Sequence, residues 1–534
     1  MGSAKCIPAS VPERNFDLEH NSAGRSSAVN RTFNSSVLLG LEMSLSVAVA
    51  LCTSIPLARV IGPDRLGYFT YIQWLAMIGG NVALLGIPST TRRYLAEALG
   101  RNDLPAARGI FFATLRLQTI LALALLAIGE ILVFSVTDRS YWSSSWLVVL
   151  SIAPRMIMSI PSMAHVAGVR LQSNLIASLA SSVAVVGILG FGLWMGWGLV
   201  AAGAAFAIAY TLELCVKLSL ALRWLGWGPR TPIGAELRKR MLTFSTHGTA
   251  LLILNVVVWD KSDFFFLEIL RKDRAALAFF GAAFNLTDKA VQIVQVFVGG
   301  LNVSLMSELG HSAEKMYAIA RSGLRYSILV AGALLFGLAA VGPHLILTLY
   351  GPRFAPAGPL LSVVAAMAIG KCLMPLLQIL FQAAERQRAV VVWSCCCGVL
   401  NLILDLLLIP PLGAMGAALA NGSVQILAAA GLVYWAQRTL GVNWSIGQSV
   451  PGLMAGAGSA LAAYAAGLPF ALAAVRLVVG ILAGALVFPF LVRILGALQP
   501  EDLRRLHGLT SRLTPALRGR ADTLLALLSP GGAR

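Results

Sequence analysis

The feature that most limits what this chain can become is a succession of about fourteen apolar segments of bilayer-spanning length. Their approximate cores are 36–58, 68–90, 109–136, 146–165, 175–196, 198–221, 242–263, 277–306, 326–350, 359–383, 389–409, 412–435, 449–467 and 469–492. With 57% hydrophobic and 12% charged residues over 534 positions, and a mean hydropathy of +0.79, no soluble core could absorb them. Lipid offers the backbone no hydrogen-bond partner, so spans are helices or closed barrels, and segments of this length are helices. The expected fold is an all-α polytopic membrane protein.

An even number of spans puts both ends of the chain on one side. Residues 1–35 contain no apolar stretch of the kind found in a cleavable signal, so the first span is expected to direct insertion and the amino-terminal tail to stay in the cytoplasm. In that orientation the cytoplasmic loops carry sixteen basic residues, from Arg92 to Arg438, against seven in the outer loops. The net charge of +18 then reflects topology, and no basic stripe suited to nucleic acid is present. The tail at 494–534, with Leu503, Leu506, Leu509 and Leu513 opposed to Arg504, Arg505 and Arg512, reads as an amphipathic helix on the inner leaflet. The cysteines lie almost wholly inside spans, and consecutive Cys395, Cys396 and Cys397 diverge around a helix, which suits packing and not a metal site.

The chain also repeats. Leu66-Gly67-Tyr68-Phe69 aligns with Leu277-Ala278-Phe279-Phe280 at an offset of 211, which also carries Leu75 onto Leu286 and Glu97 onto Glu308. Gly203-Ala204-Ala205-Phe206-Ala207 falls on Gly416-Ala417-Ala418-Leu419-Ala420 at an offset of 213. Six helices recurring as six preserve direction, which predicts two lobes, 36–222 and 242–438, related by a pseudo-two-fold along the membrane normal. A cytoplasmic linker at 223–241 joins them, and two additional helices occupy 449–493.

Ionisable groups inside spans mark function, because each costs several kcal/mol unless it faces water, protein or a partner. The densest group is Asp260-Lys261-Ser262-Asp263, set in an apolar run. Asp260 and Asp263 are three apart on one helical face and Lys261 can reach either. Such a group either neutralises itself at a helix end or takes up a proton or sodium ion. Arg155, between Pro154 and Pro161, and Lys371, in mid-span, have no acidic neighbour in sequence, so each needs a cavity, an anion or a distant carboxylate. Lys289 adjoins Asp288. Arg155, Lys261, Lys289 and Lys371 are the candidate cavity cations, and Asp260, Asp263 and Asp288 the candidate ion-coupling groups. Glu213 and Lys217, four apart, are expected to satisfy each other, and Asp405 to be served by contacts near a span end. His165, His247 and His344 have no metal-ligand spacing, and the chain lacks a phosphate-loop Gly-Lys-Ser/Thr run, so neither an enzyme nor a bound cofactor is expected beyond a coupling H+ or Na+.

Three stretches resemble the polysaccharide and oligosaccharide flippases of the multidrug/oligosaccharidyl-lipid/polysaccharide exporter superfamily. They are Leu57-Ala58-Arg59-Val60-Ile61-Gly62-Pro63-Asp64-Arg65-Leu66-Gly67-Tyr68-Phe69 with Gly86-Ile87-Pro88, then Phe266-Leu267 with Ala278-Phe279-Phe280-Gly281-Ala282-Ala283-Phe284, and Leu349-Tyr350-Gly351-Pro352-Arg353-Phe354. The resemblance covers about 36–440. It implies two six-helix lobes around a central cavity that move an undecaprenyl-pyrophosphate-linked glycan outward across the bacterial inner membrane, with polymerase or export machinery as possible partners. Arginine forks and ammonium groups suit a pyrophosphate. The competing readings are a small-molecule cation exporter of the multidrug branch and a membrane scaffold. The two additional helices are similar to those of the lipid II flippases, which keeps a peptidoglycan role open. A cysteine placed at Arg101 or Arg230 is expected to resist membrane-impermeant label in intact cells; outside labelling would reverse the topology.

Overall fold

The computed structural model describes residues 40, 42, 44–137, 139–253, 262–308, 313–384, 386–442, 444 and 446–498. Asp260, Lys261, the amino-terminal tail and most of the amphipathic carboxy-terminal stretch lie outside them. The described residues contain helices and no strand. Helices α1 (Ser44–Ile61), α2 (Pro63–Ala83), α3 (Ile87–Gly100) and α4 (Leu104–Val136) are followed by one span in three pieces, α5 (Trp142–Leu150), α6 (Ile152–Ile157) and α7 (Ser159–Ala167). A hairpin of α8 (Leu171–Trp194) and α9 (Leu199–Leu225) closes the first half. Then come α10 (Ala235–Ile253), α11 (Ser262–Arg271), α12 (Arg274–Glu308) and α13 (Ala313–Ala331), the last continuing through a π-helical turn at Gly332–Phe336 into α14 (Gly337–Tyr350). Helices α15 (Ala357–Met367) and α16 (Ile369–Ala383) make one span, α17 (Gln387–Leu412) and α18 (Ala414–Leu440) a second hairpin, and α19 (Val450–Gly467) and α20 (Ala473–Ile494) end the described fold.

Ten spans among the described residues are long and apolar enough to cross a membrane, eleven if α2 and α3, bent by 42°, count as one. The sequence predicts about fourteen. The other three expected spans, 242–263, 277–306 and 449–467, coincide with α10 and α11, with α12 and with α19. Helix α12 carries Asn285, Asp288 and Lys289 on the walls of cavities, where a polar group need not meet lipid. The three-piece span contains Pro154 and Pro161, whose rings cannot continue an unbroken backbone ladder.

Turn chemistry fixes the hairpins. Gly62 has φ +78° and precedes Pro63 in the first turn of α2, a pairing that stops one helix and starts the next. Gly198, before α9, and Gly413, before α18, share one backbone conformation, with φ, ψ of 57°, −125° and 59°, −132°.

The main core draws on both halves. Leu57, Phe69 and Trp74 pack with Phe264, Phe280 and Phe354, all nearly excluded from solvent. Helices α2 and α12 cross so closely that a Cβ on Gly67 would lie 1.7 Å from the Arg274 carbonyl oxygen. One turn on, a Cβ on Gly281 would lie 3.3 Å from Thr70 Cγ2. The same end of the molecule is tied further. Arg59 donates to the carbonyls of Thr348 (2.5 Å) and Leu349 (2.6 Å), the Ser54 and Tyr350 hydroxyls are 3.3 Å apart, and the Arg274 guanidinium lies 5.1 Å from the Tyr68 ring. At the opposite end α10 leans on the first half: Ser245 donates to the Leu85 carbonyl, and Arg93 stacks 4.6 Å from the Phe244 ring. Helix α19 packs against α14 and α20, its Gly456 seated on Gly332, where a Cβ would come within 2.7 Å of backbone.

Gly67→Ala should therefore lower the melting temperature of the purified protein, through overpacking worth about 1–3 kcal/mol. Gly187, with no atom within 4 Å of its would-be Cβ, is the control; Gly187→Ala should leave the melt unchanged or raise it. Equal melts for both variants would mean that the crossing yields freely.

Candidate transport cavity

A cavity of about 620 Å³ opens among α1, α2, α8, α9 and α12. Its wall alternates small hydroxyls with a few charges, as the sequence of α8 requires: Ser178, Ser181 and Ser182 bring oxygen atoms to one side of an otherwise apolar helix. Ser178 donates to Glu42 (3.0 Å) and Ser181 to Glu213 (2.9 Å). Glu213 in turn pairs with Lys217 at 2.7 Å, as the i, i+4 spacing predicts. Across from them α12 contributes Asn285 and Lys289. Lys289 donates to Gln292 (3.4 Å) on its own helix.

A second cavity of about 290 Å³ lies inside the first half and shares Gln73, Phe206 and Tyr210 with the first, so these three side chains separate the two. Arg155 points into it from α6, with Asn81, Ser159 and Lys217 around it. Its guanidinium lies 5.8 Å from the Tyr210 ring, and among the described residues it forms no ion pair. The walls of the two cavities together hold Arg155, Lys217 and Lys289 against Glu42 and Glu213, a surplus of one positive charge.

The remaining candidates lie deeper in the second half. Lys371, on α16, meets a distant carboxylate: its Nζ is 2.8 Å from Asp288 Oδ1, and both side chains keep about a quarter of their surface exposed, 23% and 28%. Gln292 donates to the other oxygen of Asp288 (3.0 Å), so Asp288 stands between Lys371 and the glutamine that also accepts from Lys289. Next to this pair, Asn421 and Gln425 of α18 line a small void of about 20 Å³, enough for one water.

Asn421 leads to Asp263. Its amide donates to Asp263 Oδ2 (3.0 Å), while Asn401 (3.1 Å) and Ser262 (3.4 Å) donate to Asp405 Oδ2. Asp263 and Asp405 are both wholly buried, and each keeps one oxygen without a hydrogen-bond partner among the described residues. The expectation that Asp405 is served by contacts near a span end is thus corrected: it sits on the inward face of α17, beside α11. Residues 143 positions apart carry no sequence signal of meeting, apart from Asn401 and Asp405 at i, i+4 on one helical face.

The structure therefore brings together Asp263 and Asp405, and Lys371 and Asp288, but does not gather the candidate cations at one point. Arg155 and Lys289 face different cavities, and Lys261 and Asp260 lie outside the described residues. His165 is a packing residue, its Nε2 3.0 Å from the Lys217 carbonyl and its Nδ1 accepting from Trp224. Among the described residues no three metal-ligating side chains converge.

With this geometry in view, comparison with known proteins is specific. A family model for "Polysaccharide biosynthesis protein" matches residues 34–305, just over half the chain. The chain belongs to that family. No curated protein matches it. Among solved structures, the fold is similar to lipid II flippase MurJ in an inward closed conformation (TM-score 0.69, 12% identity, 86% of this chain and 98% of that one). It is also similar to an inward-facing multidrug transporter of the MATE family (TM-score 0.62, 14% identity, 76% and 98%). A transporter of the same MOP superfamily from Pyrococcus furiosus matches as well (TM-score 0.58, 13% identity, 78% and 96%). The fold is thus similar to that of multi-pass membrane transporters.

For this polysaccharide biosynthesis protein, the Lys371 and Asp288 pair gives a direct test. Lys371→Gln or Asp288→Asn alone should lower the melting temperature, because each removes one member of a partly buried ion pair, and the double variant should lose less than the sum of the two. A coupling of about 0.5–3 kcal/mol is expected; additive losses would show that the two charges act independently.

Proposed function

We propose that this protein flips an undecaprenyl-pyrophosphate-linked oligosaccharide across the bacterial inner membrane by alternating access. The observation that carries the reading is the pair of adjoining cavities with a net positive wall, in which Arg155 has no ion-pair partner among the described residues. A pyrophosphate supplies the anion that a cavity guanidinium without an ion-pair partner can take, and the serine and asparagine side chains around it suit glycan hydroxyls. The family description supports the glycan pathway.

The architecture in this reading has fourteen spans, the eleven apolar ones plus α10 with α11, α12, and α19. They form lobes 36–222 and 242–438, related by a pseudo-two-fold, with α19 and α20 added. Two features support the symmetry. Thr70 and Gly281, which touch across the α2 and α12 crossing, differ by the repeat offset of 211, as residues beside a two-fold must. Gly198 and Gly413 open the last span of each lobe with one conformation. Both chain ends are cytoplasmic, so the tied end of the molecule faces outward and the cavities serve substrate from inside.

Coupling is assigned to Asp263 with Asp405, the latter in the place first given to Asp260. Two wholly buried carboxylates in one polar cluster require a proton or a monovalent cation such as sodium to offset their charge. Asp288 holds Lys371 beside the void that separates the ion pair from this cluster. A second reading, lipid II as substrate, is favoured by the extent of the match to the lipid II flippase, 86% of this chain against 76% for the multidrug transporter.

Vesicles carrying a fluorescent undecaprenyl-pyrophosphate oligosaccharide, or lipid II, test these points. Arg155→Ala should cut flipping at least about tenfold, the worth of one charged hydrogen bond, at unchanged membrane abundance. Loss of protein instead would assign Arg155 to folding, and transport of lipid II alone would replace the substrate. Asp263→Asn and Asp405→Asn should each remove the dependence on an imposed proton or sodium gradient. Full gradient-driven flipping by both variants would leave the cluster structural.

A further inference from the structure

Helix α4 carries an arginine where lipid should be. It is a 33-residue span, and only 17% of its most apolar window is buried, so most of its circumference meets the bilayer. Arg116 lies on that exposed side, twelve residues into the helix, and forms no ion pair among the described residues. A lone guanidinium facing hydrocarbon is costly and needs an anion. Its helical neighbours at i−3 and i−7 are Ala113 and Gly109, which sit on the same face toward the helix start, the direction in which helical side chains lean.

Gly109 and Ala113 floor an open pocket of about 290 Å³. Its other walls come from the segment that joins the two halves, Arg230 to Ile233, and from Arg238 in the first turn of α10. This segment is pinned to α4. Thr231 N–H donates to the Pro105 carbonyl (3.1 Å), Arg108 Nε donates to the Leu225 carbonyl (2.6 Å), and a Cβ on Gly109 would lie 2.1 Å from the Thr231 carbonyl oxygen. The Arg230 guanidinium is stacked 3.5 Å from the centre of the Phe112 ring, and Trp227, 71% exposed, has its ring 5.9 Å from the same phenylalanine. No carboxylate lines the pocket. Below it, Leu117, Ile120 and Leu123 continue as an exposed apolar stripe.

We propose that this pocket binds the headgroup of an anionic phospholipid, its phosphate held by Arg116, Arg230 and Arg238 and its acyl chains laid along the α4 stripe. The stripe selects a lipid over free phosphate, since a soluble anion has no use for an apolar track leading from its site. The stacked Arg230 and the exposed Trp227 belong at the level of lipid headgroups, where aromatic rings and basic residues anchor. The site lies on the outside of α4, whereas the Arg155 cavity is built from α2, α5, α6, α7 and α9, so the bound lipid is not the transported one. By bridging α4 and α10 it fastens the joining segment to the first half.

Native mass spectrometry of the purified full chain, titrated with phosphatidylglycerol or phosphatidylcholine, tests the site. Wild type should prefer phosphatidylglycerol at the first bound lipid by about fivefold, the effect of one basic residue at a membrane surface. Arg116→Leu, which removes the charge without burdening a lipid-facing helix, and the double variant Arg230→Gln, Arg238→Gln should each lose that preference. Arg386→Gln with Arg388→Gln, exposed on the same end of the second half, should keep it. Equal binding of the two lipids by wild type would overturn the proposal. So would an equal loss in the Arg386 and Arg388 control, which would reduce the effect to general surface charge, or abolition of the preference by millimolar inorganic phosphate with lipid binding otherwise intact, which would make the ligand a free anion.

Discussion

A charge inside a bilayer has few resorts: a partner of opposite sign, a ring of hydrogen-bond donors, water in a cavity, or a reach to the surface. The interior of this protein is arranged by which of these each charge takes. Glu213 and Lys217 take the first within one helix, and Asp288 and Lys371 take it between two. Asp263 and Asp405 take the second, sealed among Asn401, Asn421 and Ser262. Arg155 and Lys289 take the third, facing cavities. The contacts of Asp288 with Lys371, and of Asp263 with Asn421 and Ser262 with Asp405, tie α12 to α16 and α11 to α17 and α18.

The two halves differ in how they use these solutions. In the first, Arg155 faces open space, and the serines of α8 line the larger cavity. In the second, a chain of contacts runs from Lys371 through Asp288, then past a water-sized void to Asn421 and the buried Asp263. Open, hydroxyl-lined space stays accessible to water, whereas a sealed cluster of carboxylates and amides excludes it.

Much of this was legible in the sequence, though unevenly. Hydropathy marked apolar segments of spanning length, and the repeat at an offset of 211 also relates Thr70 to Gly281, a meeting across α2 and α12 that the alignment alone did not announce. The i, i+4 pair of Glu213 and Lys217 could be read directly, since one helix fixes both positions. Lys371 could be recognised as needing a partner, but not matched to Asp288, 83 residues away, because helix rotation decides which side chains meet. Asp405 escaped for the same reason: its distance from the span end was visible, its inward rotation was not.

At the tied end of the molecule, the contact made by Arg59 does not titrate in any accessible range. Arg59 holds the carbonyls of Thr348 and Leu349, Ser54 meets Tyr350, and Arg274 rests over the Tyr68 ring. An arginine on a backbone oxygen keeps its proton in acid and in base alike. That contact is therefore deaf to pH. An acid or alkaline shift cannot loosen it directly, and a titration that loosened it would have to act from elsewhere in the molecule and reach it as a change in helix position.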